Sequence, residues 1–447
     1  MATRLRTLFS ATRGVLVLLI LCAGCQGGRP ETTGGRKPLR LFIMFISTQQ
    51  ADFFHWAEAT YEAEHPDVDV IVEQFPGSSL KDFEIKLRLR FSSHQEPDLL
   101  LAADNVVAPL ARYGLLSEAP GYIAQMVQDN SLNEMVRQAP RIDGTLYGIS
   151  SDAAWQVLYY NKAMFREAGL DPERPPRTWA ELLDDADLLT VRHPDSTVVR
   201  AGLSLRKTGF MAGTAEKWYS FLYSAGGQPF SEDGTRATFN SPAGHAALDF
   251  YRSVLFDRHI DSVTHEGDQQ GFGQGRVAMF YREIHVARWL KDNYPDLEYG
   301  VAPLPALETS MSAGGTYMYA VSKASGHQDE AWRFIQFLMQ DEAYGRYVSI
   351  GGILPLTRSI ASREPFASDT LMQVFLRQPA RTAGSFPMVS RASDVVGGYI
   401  EQFVYGRISE DEMLSRAERD VNAVLAPNRR PAAEAAPTRR APVAMVP

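Results

Sequence analysis

Leu39-Arg-Leu-Phe-Ile-Met-Phe45 is a short, almost unbroken apolar run and reads as a buried strand. The segments after this run decide the fold class. Residues 52–64 have helix composition with aromatic residues at helical spacing, and Pro66 ends them. Val68-Asp-Val-Ile-Val72 is β-branched and partly alternating, which suits a second strand. Residues 82–91 read as a helix, Pro97-Asp-Leu-Leu-Leu-Ala102 as a third strand, and residues 106–113 as another helix. Strand and helix alternate, which predicts an α/β lobe with a largely parallel sheet.

The pattern continues downstream. Gly148-Ile-Ser150, Val157-Leu-Tyr-Tyr160, Val277-Ala-Met-Phe280, Tyr299-Gly-Val-Ala-Pro303 and Met318-Tyr-Ala-Val321 read as strands. Residues 162–168, 216–225, 242–256 and 329–339 read as helices. Thr178 with Glu181, and Ser409 with Glu412, are spaced as capping boxes that open two more. With 447 residues the chain is too long for one ordinary core, so two lobes are expected. The 45% apolar and 22% charged content is that of a globular protein. A net charge of −8 argues against a nucleic-acid binder, which carries a basic face.

Both ends differ from this body. Arg4, Arg6 and Arg13 precede the apolar run Gly14 to Leu21, in the order of an export signal. The run is about half of what a membrane span needs. The two cysteines, Cys22 and Cys25, both sit here, so the folded part has no thiol for catalysis or metal binding. Residues 25–38 read as a flexible tether rich in Gly, Thr, Arg and Pro, and residues 427–447 as a disordered Pro/Ala/Arg tail.

Leu21-Cys-Ala-Gly-Cys25 resembles the lipobox of bacterial lipoproteins, which implies a signal peptide over 1–24 and lipidation of Cys25. Cys22 departs from the aliphatic residue usual there, and plain signal cleavage is the alternative. Further segments, in order, resemble family 1 of the extracellular solute-binding proteins of bacterial ABC importers. They are Leu158-Tyr-Tyr-Asn-Lys-Ala-Met-Phe165, Ala168-Gly-Leu-Asp171, Pro176-Arg-Thr-Trp-Ala-Glu-Leu-Leu183, Gly275-Arg-Val-Ala-Met279, Tyr299 to Pro305, Ala331 to Leu338 and Gly351-Gly-Ile-Leu-Pro355. The resemblance implies a periplasmic-binding-protein-like fold of type II, with two discontinuous α/β lobes joined by a hinge and a ligand between them. Crossings are expected near Asp152, Glu283 and Asp341. That gives residues 39–151 and 284–340 to one lobe and 152–283 and 341–426 to the other. It also implies a monomer without cofactor that docks on two permease subunits served by a separate ATPase. Ser151 departs from the family pattern. Residues 386–394 have no tryptophan to stack on a sugar, which argues against a maltose-like ligand.

Ligands of open α/β sheets lie beyond the carboxyl ends of strands. Ser47, Gln49 and Gln50 after the first strand, and Asp104 and Asn105 after the third, are therefore candidates, with helix capping as the plainer reading. Sugars need planar polar groups and aromatic platforms. Asp152, Trp155, Tyr281 and Glu283 stand at expected crossings. Gly315 and Tyr317 lie where the backbone can approach a ligand closely. Trp218 is a candidate whose surroundings also suit a core helix. No zinc-protease, phosphate-loop or serine-nucleophile motif occurs, and Gly271-Phe-Gly-Gln-Gly275 lacks dinucleotide spacing. No catalytic or metal residue is therefore assigned. The expected function is capture of a mono- or oligosaccharide for an ABC importer by a lipid-anchored exported protein. An exported carbohydrate-active enzyme, or a receptor for glycerol phosphate, polyamine or iron, is the alternative.

Overall fold

The computed structural model describes residues 35–44, 48–75, 80–195, 197–207, 209, 211–265 and 267–429. The signal segment, Cys25, Ser47 and the tail past 429 lie outside them. Among the described residues no helix is long and apolar enough to cross a membrane.

The chain folds into two α/β lobes. In the first, Lys37–Ile43 lies between Val68–Gln74 and Leu99–Ala103, parallel to both. The strand begins at Lys37, whose N–H donates to the Asp67 carbonyl at 2.7 Å, so the tether ends earlier than the sequence suggested. Its apolar run is explained by burial on both faces. Leu41 and Ile43 share a core with Phe53 and Phe54 of helix Thr48–Glu64. Phe42 and Met44 face Phe83 and Val107 on the other side.

The long strand Ser312–Val321 completes this sheet. It runs antiparallel to Leu99–Ala103 on one side and to Gly148–Trp155 on the other. In the second lobe Val157–Asn161 is flanked, antiparallel, by Met279–Arg282 and Tyr299–Ala302. The core there packs helices Met211–Ser224, Pro242–Arg252, Val389–Val404 and Glu410–Leu425 around Trp218, Leu248, Val396 and Leu414. Both capping boxes form, at Thr178 with Glu181 and at Ser409 with Glu412.

The chain changes lobes between Asp152 and Val157, but the later expected boundaries move. Residues 284–302 were assigned to the first lobe, yet Tyr299–Ala302 pairs with Val157–Asn161 in the second sheet, and the return runs along Ser312–Val321. Helix Asp341–Gly351, assigned to the second lobe, packs on helix Thr48–Glu64 through Tyr344, Tyr347 and Val348. The last passage therefore comes after residue 360. Residues 426–429 are a short 3-10 turn, not the start of a free tail. Asn428 Nδ2 there donates to the carbonyls of Gly234 and Pro387, each at 2.8 Å.

Several polar groups buried between the lobes pair with one another. Ser312 Oγ accepts the Gln156 N–H at 2.8 Å, and Ser220 Oγ accepts the Ala313 N–H at 2.9 Å. Ser220 in turn donates to Gln156 Oε1 at 3.3 Å.

Candidate ligand-binding cleft

Strand Leu99–Ala103 runs straight into helix Asp104–Arg112, so Asp104 stands where the strand ends and the helix begins. Its Oδ1 accepts the Asn105 N–H at 2.7 Å, and Oδ2 the Thr316 N–H at 3.5 Å. Burial pushes this carboxyl up to about 6 against the pull of those N–H groups. Asn105 Oδ1 and Thr316 Oγ1 are buried beside it without a hydrogen-bond partner among the described residues. Such groups are costly to leave unmade and mark where a ligand or water belongs. Asp152, which pairs across the ladder with Tyr317, is pushed up by burial to about 7.

The facing wall comes from the second lobe. Glu216 and Lys217 sit in the second turn of helix Met211–Ser224, and Arg282 ends a strand with Glu283 directly after it. Lys217 Nζ donates to Glu283 Oε1, and Arg282 Nε donates to Glu283 Oε2 at 3.2 Å. Burial alone would raise Glu283, but Lys217, Arg282 and His285 outweigh it and hold the carboxyl at about 2. Burial lowers Lys217 from its ordinary value. Glu216 goes the other way, to about 7, because burial exceeds the help it draws from Lys217. The cleft thus holds carboxyls of opposite tendency, some able to donate as well as accept hydrogen bonds.

Between these walls lies a cavity of about 620 Å³, a volume suited to a small organic ligand. Gln50, Asp104, Asn105, Asp152, Glu283, Gly315 and Tyr317, all chosen from the sequence, line it. Gln50 Nε2 also donates to the Tyr347 hydroxyl at 3.0 Å. Gln49 lies in the first turn of helix Thr48–Glu64.

Three aromatic candidates do not reach the cleft. Trp155 is fully buried, with Nε1 donating to the Phe375 carbonyl at 2.8 Å. Strand parity explains this. Asp152 and Ala154 keep some exposure on the cleft side, while Ala153 and Trp155 point into the core. Trp218 is fully buried in the second core, edge-on to Phe239 with centroids 6.1 Å apart. Tyr281 stacks on Phe221 at 5.1 Å and lines a smaller neighbouring cavity instead.

The sequence reading missed Arg206, Glu216, Lys217, Tyr219, Arg282, His285, Thr382, Ser390 and Ser393, which also line the cleft. A signal existed for two of them. Glu216-Lys217 is a charged pair set at the head of an otherwise apolar helix.

The chain was compared with known proteins. A putative binding protein of Brucella abortus (strain 2308) is 25% identical over 397 residues, which covers 87% of this chain and 93% of the relative. The maltotriose-binding protein of Pyrococcus abyssi is 22% identical over 376 residues, covering 82% of this chain and 75% of the relative. Among solved structures, the cyclic α-maltosyl-1,6-maltose binding protein of Arthrobacter globiformis superimposes with a TM-score of 0.75 at 24% identity. That alignment covers 88% of this chain and all of the other, and it carries the fold. The family described as bacterial extracellular solute-binding protein matches residues 50–345, and the chain belongs to that family.

Proposed function

We propose that this protein is an exported receptor that captures a mono- or oligosaccharide in its cleft and delivers it to an ABC importer. In this reading it acts as a monomer, docks on two permease subunits driven by a separate ATPase, and is held at the membrane by lipid on Cys25. It does no chemistry on its ligand.

The observation that carries the reading is the polar lining of the 620 Å³ cleft. Asp104, Asp152 and Glu216 stand near neutrality, so each can accept from or donate to a hydroxyl. Asn105 Oδ1 and Thr316 Oγ1 add unpartnered groups of the same use. Sugar hydroxyls are donors and acceptors at once and match such a set. Two of the proteins described above are named for maltotriose and for cyclic α-maltosyl-1,6-maltose, which supports the ligand class. With no tryptophan among the lining residues, the half-buried Tyr317 is the aromatic surface for a ring face, and hydrogen bonds dominate recognition.

Calorimetry of the mature protein against mono- to tetrasaccharides tests this. At least one should bind at micromolar concentration or below, and silence across the panel would end the reading. Carboxyls pushed toward opposite pKa values also suit a glycosidase. The bound saccharide is therefore recovered after long incubation. Intact ligand supports a receptor, whereas shorter products would make the protein an enzyme.

A further inference from the structure

Beside the cleft lies a second cavity of about 290 Å³. Helix Met211–Ser224, helix Pro242–Arg252, strand Met279–Arg282, the segment 204–207, and Val263, His265, Gly267 and Asp268 supply its lining. Arg206, Lys217 and Arg282 line both cavities, so the two spaces meet at a cationic partition.

Its polar groups do not balance. Lys207 Nζ is bound to Asp261 Oδ2 at 2.6 Å, and that oxygen also accepts the Leu205 N–H at 3.0 Å. Arg282 is bound to Asp268 and Glu283, and Lys217 to Glu283. Three carboxylates thus answer three of the four cations. Arg206 makes no hydrogen bond or ion pair among the described residues, and the Glu216 carboxyl, which burial pushes up to about 7, acts on it through charge alone.

Two buried phenols, Tyr251 at 0% and Tyr281 at 9% exposure, also line the cavity, and neither hydroxyl has a hydrogen-bond partner among the described residues. His265 Nδ1 makes no hydrogen bond among the described residues but lies 3.9 Å from Asp261 Oδ1, while Nε2 faces the Val199 carbonyl at 3.4 Å. One cation without a bonded carboxylate and two idle O–H donors, in a space that shares its lining with the cleft, describe the recognition of an anion. Guanidinium and hydroxyl groups together satisfy several oxygens of one carboxylate or phosphate. A neutral hydroxymethyl group would leave Arg206 without a bonded anion.

We infer that the smaller cavity is a subsite for an anionic substituent, carboxylate or phosphate ester, of the saccharide held in the cleft. Arg206 supplies the opposing charge, and Tyr251 and Tyr281 donate hydrogen bonds. The inference rests on the saccharide-capture reading and narrows its ligand class to acidic sugars.

Matched pairs read by calorimetry test it: glucose against glucuronate, galactose against galacturonate, and glucose against glucose 6-phosphate. Inorganic phosphate and acetate serve as lone anions. The wild type should bind the acidic member of at least one pair ten times or more tighter than its neutral parent. Which pair responds separates carboxylate from phosphate. Arg206→Gln and the double variant Tyr251→Phe/Tyr281→Phe should each reduce that ratio at least fivefold. The ratio is taken within each protein, so a general loss of affinity cancels, and thermal unfolding checks the fold. If neutral parents bind as well as the acids, or the ratio survives in both variants, the subsite is wrong while saccharide capture stands. If no saccharide of either kind binds, both fall together.

Discussion

Trp155 Nε1 donates to the Phe375 carbonyl at 2.8 Å across 220 residues of sequence, tying the strand that enters the second lobe to helix Thr370–Arg377. Its indole is fully buried. Trp155→Ala should therefore cost about 3–5 kcal/mol of stability through the void it leaves. Ligand affinity, measured by calorimetry well below the unfolding transition, should stay within threefold of wild type. A large affinity loss in a well-folded variant would put the indole in the cleft after all.

Gly314 and Gly315 are neighbours with opposite expectations. A Cβ on Gly314 would sit 2.7 Å from the Ala154 carbonyl oxygen and 3.0 Å from Trp155 Cβ. Gly314→Ala should destabilise by about 1–3 kcal/mol, as overpacked sites do. A Cβ on Gly315 meets only Asp104 Oδ1 at 3.9 Å, on the same wall of the cleft. Gly315→Val should keep or slightly raise the melting temperature and yet weaken ligand binding tenfold or more. Thermal unfolding and calorimetry on both variants separate the two effects.

The pH dependence comes from burial of Asp152. Its folded pKa, about 7, lies above the ordinary 3.8, so the folded state binds more protons between those values. Stability is then lost as pH rises through that window, and the penalty is complete above it. Asp152→Asn should be the more stable protein at pH 7.5, by about 1 kcal/mol or more, with the gap closing toward pH 4. Glu283 works in the opposite sense. Its folded value near 2 gives stability above the ordinary 4.5 that fades as pH falls toward 2. Denaturant titrations from pH 4 to 7.5 on wild type and Asp152→Asn check the first claim, and a constant gap would contradict it.

Cys25→Ala addresses the anchor. The variant should leave membrane fractions or accumulate as unprocessed precursor. Wild-type fractionation and migration would show that no lipid is carried at that cysteine.

Much of the architecture was legible because it is written locally. Apolar runs such as 39–45 and 97–102 are short, bounded and separated by helical periods, and the caps at Thr178 and Ser409 have fixed spacing. The crossings after residue 283 were not legible. Tyr299–Ala302 belongs to the second sheet only through pairing with a strand some 140 residues earlier, from Tyr299 against Asn161 to Ala302 against Leu158, and such pairing leaves no local mark. Strand-end carboxylates could be found because topology places them. Side chains such as Arg206 could not, since no element boundary or periodicity announces them. Trp155 misled because aromatic type was weighed above strand parity, which already set it on the opposite face from Asp152.

The long strand Ser312–Val321 makes the junction of the lobes a flexure and not a pin joint. Its end from Tyr317 to Val321 is fixed to Leu99–Ala103, and its start to Ala380, Arg381 and Ser220. Gly148–Trp155 doubles it between, and the ladder slips register after Tyr317. A ribbon clamped at both ends stores elastic work when it bends and has a rest angle set by the fold. Gly315, Thr316 and Tyr317, which line the cleft, are part of that ribbon. On the proposed function the solute is seated on the spring itself, and the work of bending enters its binding free energy directly. Stiffening the ribbon at a position the solute never touches would retune affinity as surely as altering a contact.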